Sequence, residues 1–368
     1  MQKFILLILL YFLATNAYSQ IEKNISIKYN GTLANVLTAE ELCTTTKLTL
    51  TGNIDARDFK TMRDEMPLLT EIDLRGVTIL AYNGDQGTET LTNYYEGNTI
   101  PRYSMRNKNT LTSIYLPISI TSIQPSAFYQ CTKLFRIEMH EGIKTISNNS
   151  FLRCDSLTEI TIPASVDYIA PSAFERRVSY FVDSDNQHYS SENGVLYNKD
   201  KTKLLHAPLS LSGEFMVPET ILEIYESAFK GCSLLTKVTL PIGLQQIGLN
   251  SFYGCSSLLE INIPPTIKQI DDYAFSGCSN LLTINLPESI MQIKQGTFSN
   301  CNSLVSANIP SSVNKIYSNS FYKCLRLENL YVMPVNPVDI GNSSSVFQSV
   351  NTATCKLNVP FGSLKAYQ

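Results

Sequence analysis

The stretch from Cys255 to Phe298 repeats itself. CSSLLEINIPPTIKQIDDYAF is followed by CSNLLTINLPESIMQIKQGTF at a spacing of 23 residues. Cys255 matches Cys278, Leu258 matches Leu281, Ile261 matches Ile284, Pro264 matches Pro287 and Phe275 matches Phe298. A unit this short cannot enclose a core of its own. It buries its apolar side only by stacking on the next copy, so a fixed period in this range implies a solenoid.

The same register runs through most of the chain. A phenylalanine column reads Phe128, Phe151 and Phe174, with Met105 one period earlier, and resumes at Phe229, Phe252, Phe275, Phe298 and Phe321. A small residue precedes each phenylalanine: Ala127, Ser150, Ala173, Ala228, Ser251, Ala274, Thr297 and Ser320. This pairing predicts one large ring packed tightly beside a small neighbour. The strand motif L-x-x-I-x-[LI]-P recurs at Leu111, Leu157, Leu235, Leu258, Leu281 and Leu304, with Ala307 replacing isoleucine in the last copy. In the Leu134 copy His140 stands in place of the proline. Period-2 alternation turns Ile114 and Leu116 inward and Ser113 and Tyr115 outward. The proline ends each strand because it has no N–H to give to a ladder. The fold class expected is a leucine-rich-repeat solenoid: short parallel strands stacked into a continuous sheet, with irregular or short helical return segments.

Two regions depart from the period. Phe174 and Phe229 lie 55 residues apart, which is one period plus an insertion of 32 residues. Within it Val195-Leu196-Tyr197 and Leu204-Leu205-His206 flank Asn198-Lys199-Asp200-Lys201, the pattern of a β-hairpin projecting from one edge of the stack. It reads either as a binding protrusion or as an edge decoration. Residues 20–100 are less regular. Leu48–Gly52 reads as a strand, Asp58–Met66 as a helix, Leu69–Leu74 as a repeat strand, and Tyr82–Asn98 as a polar loop leaving the stack. The expected division is an N-terminal cap over 20–100, regular repeats over 101–178, the insertion over 179–210, repeats over 211–333 and a C-terminal cap over 334–368.

Residues 1–19 read as a secretory signal peptide, with Lys3 as the positive n-region, Phe4–Ala14 as the apolar h-region and Ala17-Tyr18-Ser19 as the cleavage site. Export to the cell surface, the periplasm or the extracellular space follows, with no membrane span once the signal is removed. The net charge of −3 carries no basic patch, which argues against nucleic acid as a partner.

The pattern C-x-x-L-x-x-I-x-[LI]-P-x-x-[IV]-x-x-I-x-x-x-A-F resembles the BspA-type leucine-rich repeat family of surface proteins. The insertion from Val182-Asp183-Ser184-Asp185-Asn186 to Ala207-Pro208 and the tail Cys355–Ser363 resemble units of that family, and Leu48–Leu74 is similar to N-terminal units of members mostly from Bacteroidetes. In the family the tail usually continues beyond the position of Tyr367 into aromatic residues, and often into a further domain or a sorting signal; here the sequence ends at Gln368. The resemblance implies contact with host or bacterial surface macromolecules, including matrix proteins.

Residue chemistry points away from catalysis. Seven of the nine cysteines (Cys131, Cys154, Cys232, Cys255, Cys278, Cys301 and Cys324) form one repeat column. Neighbouring coils lie about 4.8 Å apart with parallel Cβ vectors, whereas a disulfide needs Cβ atoms about 3.8 Å apart. These thiols are expected to stay reduced and to pack as small hydrophobes. His140, His188 and His206 have no metal-ligand spacing to one another or to a cysteine pair. Asp183-x-Asp185-Asn186 lacks the glycine and distal glutamate of a calcium loop and reads as a turn cap. No nucleophile elbow, zinc-protease motif or phosphate loop is present. No catalytic residue, metal or cofactor is therefore assigned.

The outward strand positions remain as the candidate site: Tyr115, Thr239, Asn262, Asn285, Asn308 and Tyr331. One reading is a face that binds a protein or glycan on a host or bacterial surface. The other is a solvated face with an asparagine ladder bonded along the stack, in a structural envelope scaffold. Tyr180, Tyr189 and Tyr197 of the insertion form the competing site.

Overall fold

The computed structural model describes residues 20–90, 92–341 and 345–367. The signal peptide expected over 1–19 lies outside them. The chain divides into two compact units that meet in sequence at Glu175–Arg176.

Each coil is built by the same few contacts. The strand leucine and isoleucines are buried, as at Leu258 and Ile261. The following proline opens a turn in which its carbonyl accepts a bond three residues on, as from Ile267 N–H to Pro264 O at 3.2 Å and from Ile290 N–H to Pro287 O at 3.1 Å. A short back strand such as Gln269–Ile270 follows. The chain then enters the phenylalanine turn, which consists of hydrogen-bonded turns without helix.

Two residues per coil in this turn have left-handed backbone, two before and two after the phenylalanine. Around Phe252 they are Asn250 (φ 53°) and Gly254 (φ 73°); around Phe298 they are Gly296 (φ 60°) and Asn300 (φ 60°). Such conformations favour glycine and asparagine, which explains those residues in these columns. Tyr103, Arg153, Tyr273 and Lys323 occupy the same positions at positive φ and bear the steric cost of a Cβ there.

The phenylalanine rings stack face to face. Phe128–Phe151 and Phe151–Phe174 have centroids 5.1 and 5.0 Å apart, and Phe229–Phe252 and Phe252–Phe275 are 4.9 and 5.2 Å apart. From Phe128, Phe151, Phe229, Phe252, Phe275 and Phe298 the N–H donates to the carbonyl of the small residue in the next coil, as from Phe275 to Thr297 O at 2.9 Å. The same phenylalanine carbonyl accepts twice. Cys278 N–H, three residues on, donates to Phe275 O at 3.1 Å. The Cys301 thiol, one period beyond Cys278, also donates to it, at 3.3 Å. The thiols of Cys154, Cys255, Cys278 and Cys324 make the equivalent bond at 3.1–3.3 Å. All nine cysteines are free. A thiol acting as a donor must keep its proton, so the column is a hydrogen-bond ladder as well as a packing one.

In the first unit the strand face is a five-stranded parallel sheet of Glu22–Ile27, Lys47–Ile54, Glu71–Ile79, Ser113–Tyr115 and Arg136–Glu138. The Ala56–Asp64 helix has a capping box: Asp55 accepts at its N-terminus and Asp58 bonds back to the Asp55 N–H. Asp58 also accepts from Gly31 N–H (2.6 Å) and Leu33 N–H (2.9 Å), pinning the opening loop to this helix. The Tyr82–Asn98 segment forms a small hairpin of Tyr82–Asn83 and Tyr94–Tyr95. Lys108 takes the place of cysteine at the head of its column and turns its ammonium onto the carbonyls of Met66 and Arg63.

In the second unit the insertion is not a projection. Tyr189–Glu192, Val195–Asn198 and Lys203–His206 are antiparallel neighbours, and the last pairs in parallel with Glu223–Ile224. The insertion therefore extends the back sheet, and Val195, Tyr197, Leu204 and Ala207 join the core. The extra strand is joined by Asn193-Gly194, both left-handed, a two-residue hairpin turn matched to strand twist. At the C-terminal end Phe347 stacks on Phe321 at 5.5 Å, and Lys356–Asn358 pairs beside Asn329–Val332 on the face.

The coils of Cys255 and Cys278 meet at a seam. One face ladder ends at Glu260–Ile261 and the next begins at Thr283–Asn285; on the back, one ends at Gln269–Ile270 and the next begins at Gln292–Ile293. The turn side stays bonded, through Tyr273 N–H to Gln295 O (2.8 Å), Phe275 N–H to Thr297 O (2.9 Å) and Gly277 N–H to Ser299 O (2.7 Å). The Phe275–Phe298 separation is 5.7 Å, the widest of the stacked phenylalanine pairs given for this unit.

Candidate functional site

The second unit holds five of the six expected face residues, on the two face ladders that flank the seam. Asn285 lies opposite Asn308, Asn308 opposite Tyr331, and Tyr331 opposite Asn358. Thr239 and Asn262 continue the row, and with Lys237, Glu260, Thr283 and Asn285 they line a depression of about 480 Å³ across the seam. Lys237 and Glu260 pair at 2.8 Å. Both groups are largely exposed, so this contact is weak in water.

The rest of the row is uncommitted. Among the described residues no side-chain hydrogen bond engages Thr239, Asn262, Thr283, Asn285 or Tyr331, and the Asn308 Oδ1 atom is buried without a partner. The asparagine ladder expected as one alternative does not form. The amides stand at one-coil spacing with donors and acceptors unspent. Just before these strands runs a second column, Leu259, Leu282 and Val305, set off from the amides by Glu260, Thr283 and Ser306, in which both leucines are 45% exposed. This column went unread in the sequence, although three apolar residues follow three inward leucines where Thr112, Thr158 and Thr236 stand in other coils.

Tyr115 belongs to the first unit, between the guanidinium groups of Arg75 (4.8 Å) and Arg136 (5.3 Å). Ser113, expected to face outward, is buried because it lies between the long side chains of Glu71 and Arg136. The insertion tyrosines separate. Tyr180 and Tyr197 are 3% and 1% exposed and belong to the interior; Tyr189 alone is partly open. Burial pushes both buried phenols up. The insertion therefore cannot present the three rings together.

His206 lies edge-on to Tyr180 at 5.3 Å, with both ring nitrogens buried and unpartnered. Burial, reinforced by Arg176, pushes it down to about 3. The cysteine column is chemically quiet: burial pushes Cys154, Cys232 and Cys324 up to about 12 and Cys131, Cys255, Cys278 and Cys301 well above the usual thiol range. Asp183 and Asn186 cap their turn through Asp185, His188 and Tyr189 N–H groups. Among the described residues no group of three or more His, Cys, Asp or Glu side chains is placed to hold a metal, and no helix is long and apolar enough to cross a membrane.

Parallel strands stacked at a 23-residue period, with an inward leucine and isoleucines in each, define a leucine-rich-repeat solenoid. The model of the BspA type leucine rich repeat region matches residues 98–212 and 209–328 in six copies, and the chain belongs to that family. Among solved structures, the fold is similar to the pneumococcal vaccine antigen PcpA, with a TM-score of 0.60 at 21% identity, covering 87% of this chain and 75% of that one. It is also similar to a leucine-rich repeat protein from Eubacterium ventriosum, with a TM-score of 0.59 at 22% identity, covering 83% and 90%. A leucine rich cell surface protein from Faecalibacterium prausnitzii matches with a TM-score of 0.50 at 23% identity, covering 78% and 83%. No curated protein matches.

Proposed function

We propose that this chain is an exported, non-catalytic binding and adhesion module, and that the strand face of its second unit takes a surface protein. The observation that carries the reading is the row of uncommitted polar groups from Thr239 through Asn262, Asn285 and Asn308 to Tyr331. Amides that bond no neighbouring side chain keep both donors and acceptors for a partner, and asparagine can meet peptide groups as both donor and acceptor. The column of exposed Leu259 and Leu282 with half-buried Val305 supports a protein partner, because it adds apolar surface just ahead of the polar strand positions, the mixture found at protein interfaces. Tyr331 contributes an aromatic with a polar tip.

The test compares the mature chain with Asn262→Lys/Asn285→Lys/Asn308→Lys in pull-downs from host and bacterial surface extracts, after circular dichroism has shown both folded. A protein captured by the wild type and lost by the variant supports the assignment. Equal capture by both moves the site off this face.

A further inference from the structure

The first unit contains a second cleft, of about 670 Å³, between the 82–98 hairpin segment and the turns at Tyr103 and Arg106. We propose that it is a binding site for an acidic sugar carrying one carboxylate, with Arg106 as the anion-recognising residue.

The walls are pinned. Arg63 donates from Nη1 to the carbonyls of Thr88 (2.7 Å) and Tyr103 (2.8 Å), joining the hairpin segment to the coil. The Thr88 hydroxyl donates to Arg102 O at 2.6 Å, and the Tyr95 hydroxyl bonds both the N–H and the carbonyl of Glu89 at 3.0 Å. The cleft is thus preformed, and binding there need not order a loop.

Its acids are already neutralised. Asp64 receives Arg63 Nε and Nη2 at 2.7 and 2.9 Å, and Glu89 pairs with Arg102 at 3.2 Å. Arg106 has no carboxylate partner among the described residues. Its guanidinium is held over Tyr103 at 5.1 Å and near Tyr129 at 5.8 Å. Of the lining charges, Asp64 is paired within the cleft by Arg63 and Glu89 from outside the lining by Arg102, which leaves Arg106 as the cation without a carboxylate. One free planar guanidinium matches one carboxylate through paired N–H donors. A phosphate dianion would call for a second free cation, and the cleft lining supplies none. The other lining groups are neutral: among the described residues the Thr90 hydroxyl, the Asn107 amide and the Tyr103 phenol make no side-chain hydrogen bond. They suit the hydroxyls of a sugar ring, which both donate and accept.

The experiment titrates the mature chain with glucuronate, glucose and inorganic phosphate, followed by NMR shifts and calorimetry. The variants are Arg106→Gln, which removes the charge, and Asn107→Gly, which keeps the left-handed backbone (φ 64°) and removes the amide. Glucuronate is expected to bind the wild type at least about tenfold more tightly than glucose does, to weaken at least about tenfold in Arg106→Gln and to weaken severalfold in Asn107→Gly. If Arg106→Gln fails to fold, the glucuronate-to-glucose ratio and Asn107→Gly decide. No glucuronate binding, equal binding of glucose, tighter binding of phosphate, or unchanged affinity in a folded variant overturns the proposal. The strand face of the second unit contributes no residue to this cleft, so either site can fail without the other.

Discussion

Replacing His206 by phenylalanine should remove a specific acid sensitivity from the second unit. The imidazole is enclosed beside Tyr180 with neither nitrogen bonded, and Arg176 adds an unfavourable positive neighbour. Its ordinary value of 6.5 falls to about 3 in the fold. Between those values the unfolded chain binds a proton that the folded chain refuses, so stability is fully present above about pH 6.5 and is lost as pH falls towards 3. The slope is about 1.4 kcal/mol per pH unit, so by about pH 4.5 the loss reaches about 2–3 kcal/mol. Phenylalanine fills a similar volume, keeps the edge contact with Tyr180 and does not titrate. Urea denaturation of both proteins from about pH 7.5 to 4.5, followed by circular dichroism, reads the difference. The carboxylates titrate in both, so the wild-type-minus-variant curve isolates His206. Amide exchange in the Lys203–His206 strand should accelerate on acidification in the wild type alone. A difference curve flat to within about 0.5 kcal/mol across that range would refute the reasoning.

Other expectations follow from the same packing. Phe275→Ala removes a fully buried ring from the middle of the stack and should destabilise by about 3–5 kcal/mol, measured by urea midpoint. Alkylation of the unreduced native protein at neutral pH should label exposed Cys43 first and leave the seven column thiols unmodified, as read by mass spectrometry; a disulfide within the column would contradict the thiol–carbonyl ladder. Arg153→Gly relieves a left-handed arginine (φ 61°) on an exposed turn and should stabilise by about 1 kcal/mol, whereas Phe-turn glycines such as Gly254 (φ 73°) should lose about 1 kcal/mol on mutation to alanine.

The repeat made much of the coil readable before any coordinates. A 23-residue register assigns every column at once, so the buried phenylalanines, the strand leucines and the unpaired cysteines could all be placed from Cys255–Phe298. The left-handed positions were equally visible as Asn250, Gly254, Gly277 and Asn300, but their meaning depends on backbone angles that side-chain periodicity does not encode. The insertion was half legible. The Val195 and Leu204 strands stood out as short apolar runs flanking the polar Asn198–Lys201 turn, whereas Tyr189–Glu192 was missed despite the Asn193-Gly194 turn signal, because YSSE is polar. Reading the hairpin as a projection failed for a related reason: edge pairing with Glu223–Ile224 is a long-range choice that leaves no local mark. Of the candidate site, the amide row was legible as a column, but its lack of mutual hydrogen bonds was not. The Arg106 cleft depends on a hairpin folded back from outside the repeat, where the period says nothing.

The seam between the coils of Cys255 and Cys278 bears on how such a stack carries load. Tension along the stack in the second unit passes through ladder bonds on the face and back and through the phenylalanine turns. At this one junction the two ladders are interrupted, and the load falls on the main-chain links at the turn side, on Leu282 N–H to Leu259 O at 3.2 Å, and on the Gln295 bonds to Asp272 Oδ1 and the Tyr273 hydroxyl. The most alike pair of coils in the chain is therefore where a pulled molecule should part first. It would open as a wedge hinged on Phe275 and Phe298, with the depression lined by Asn262 and Asn285 at its mouth. A partner seated across that mouth would tie the two coils together, so a bound module should bear more force before yielding than a free one.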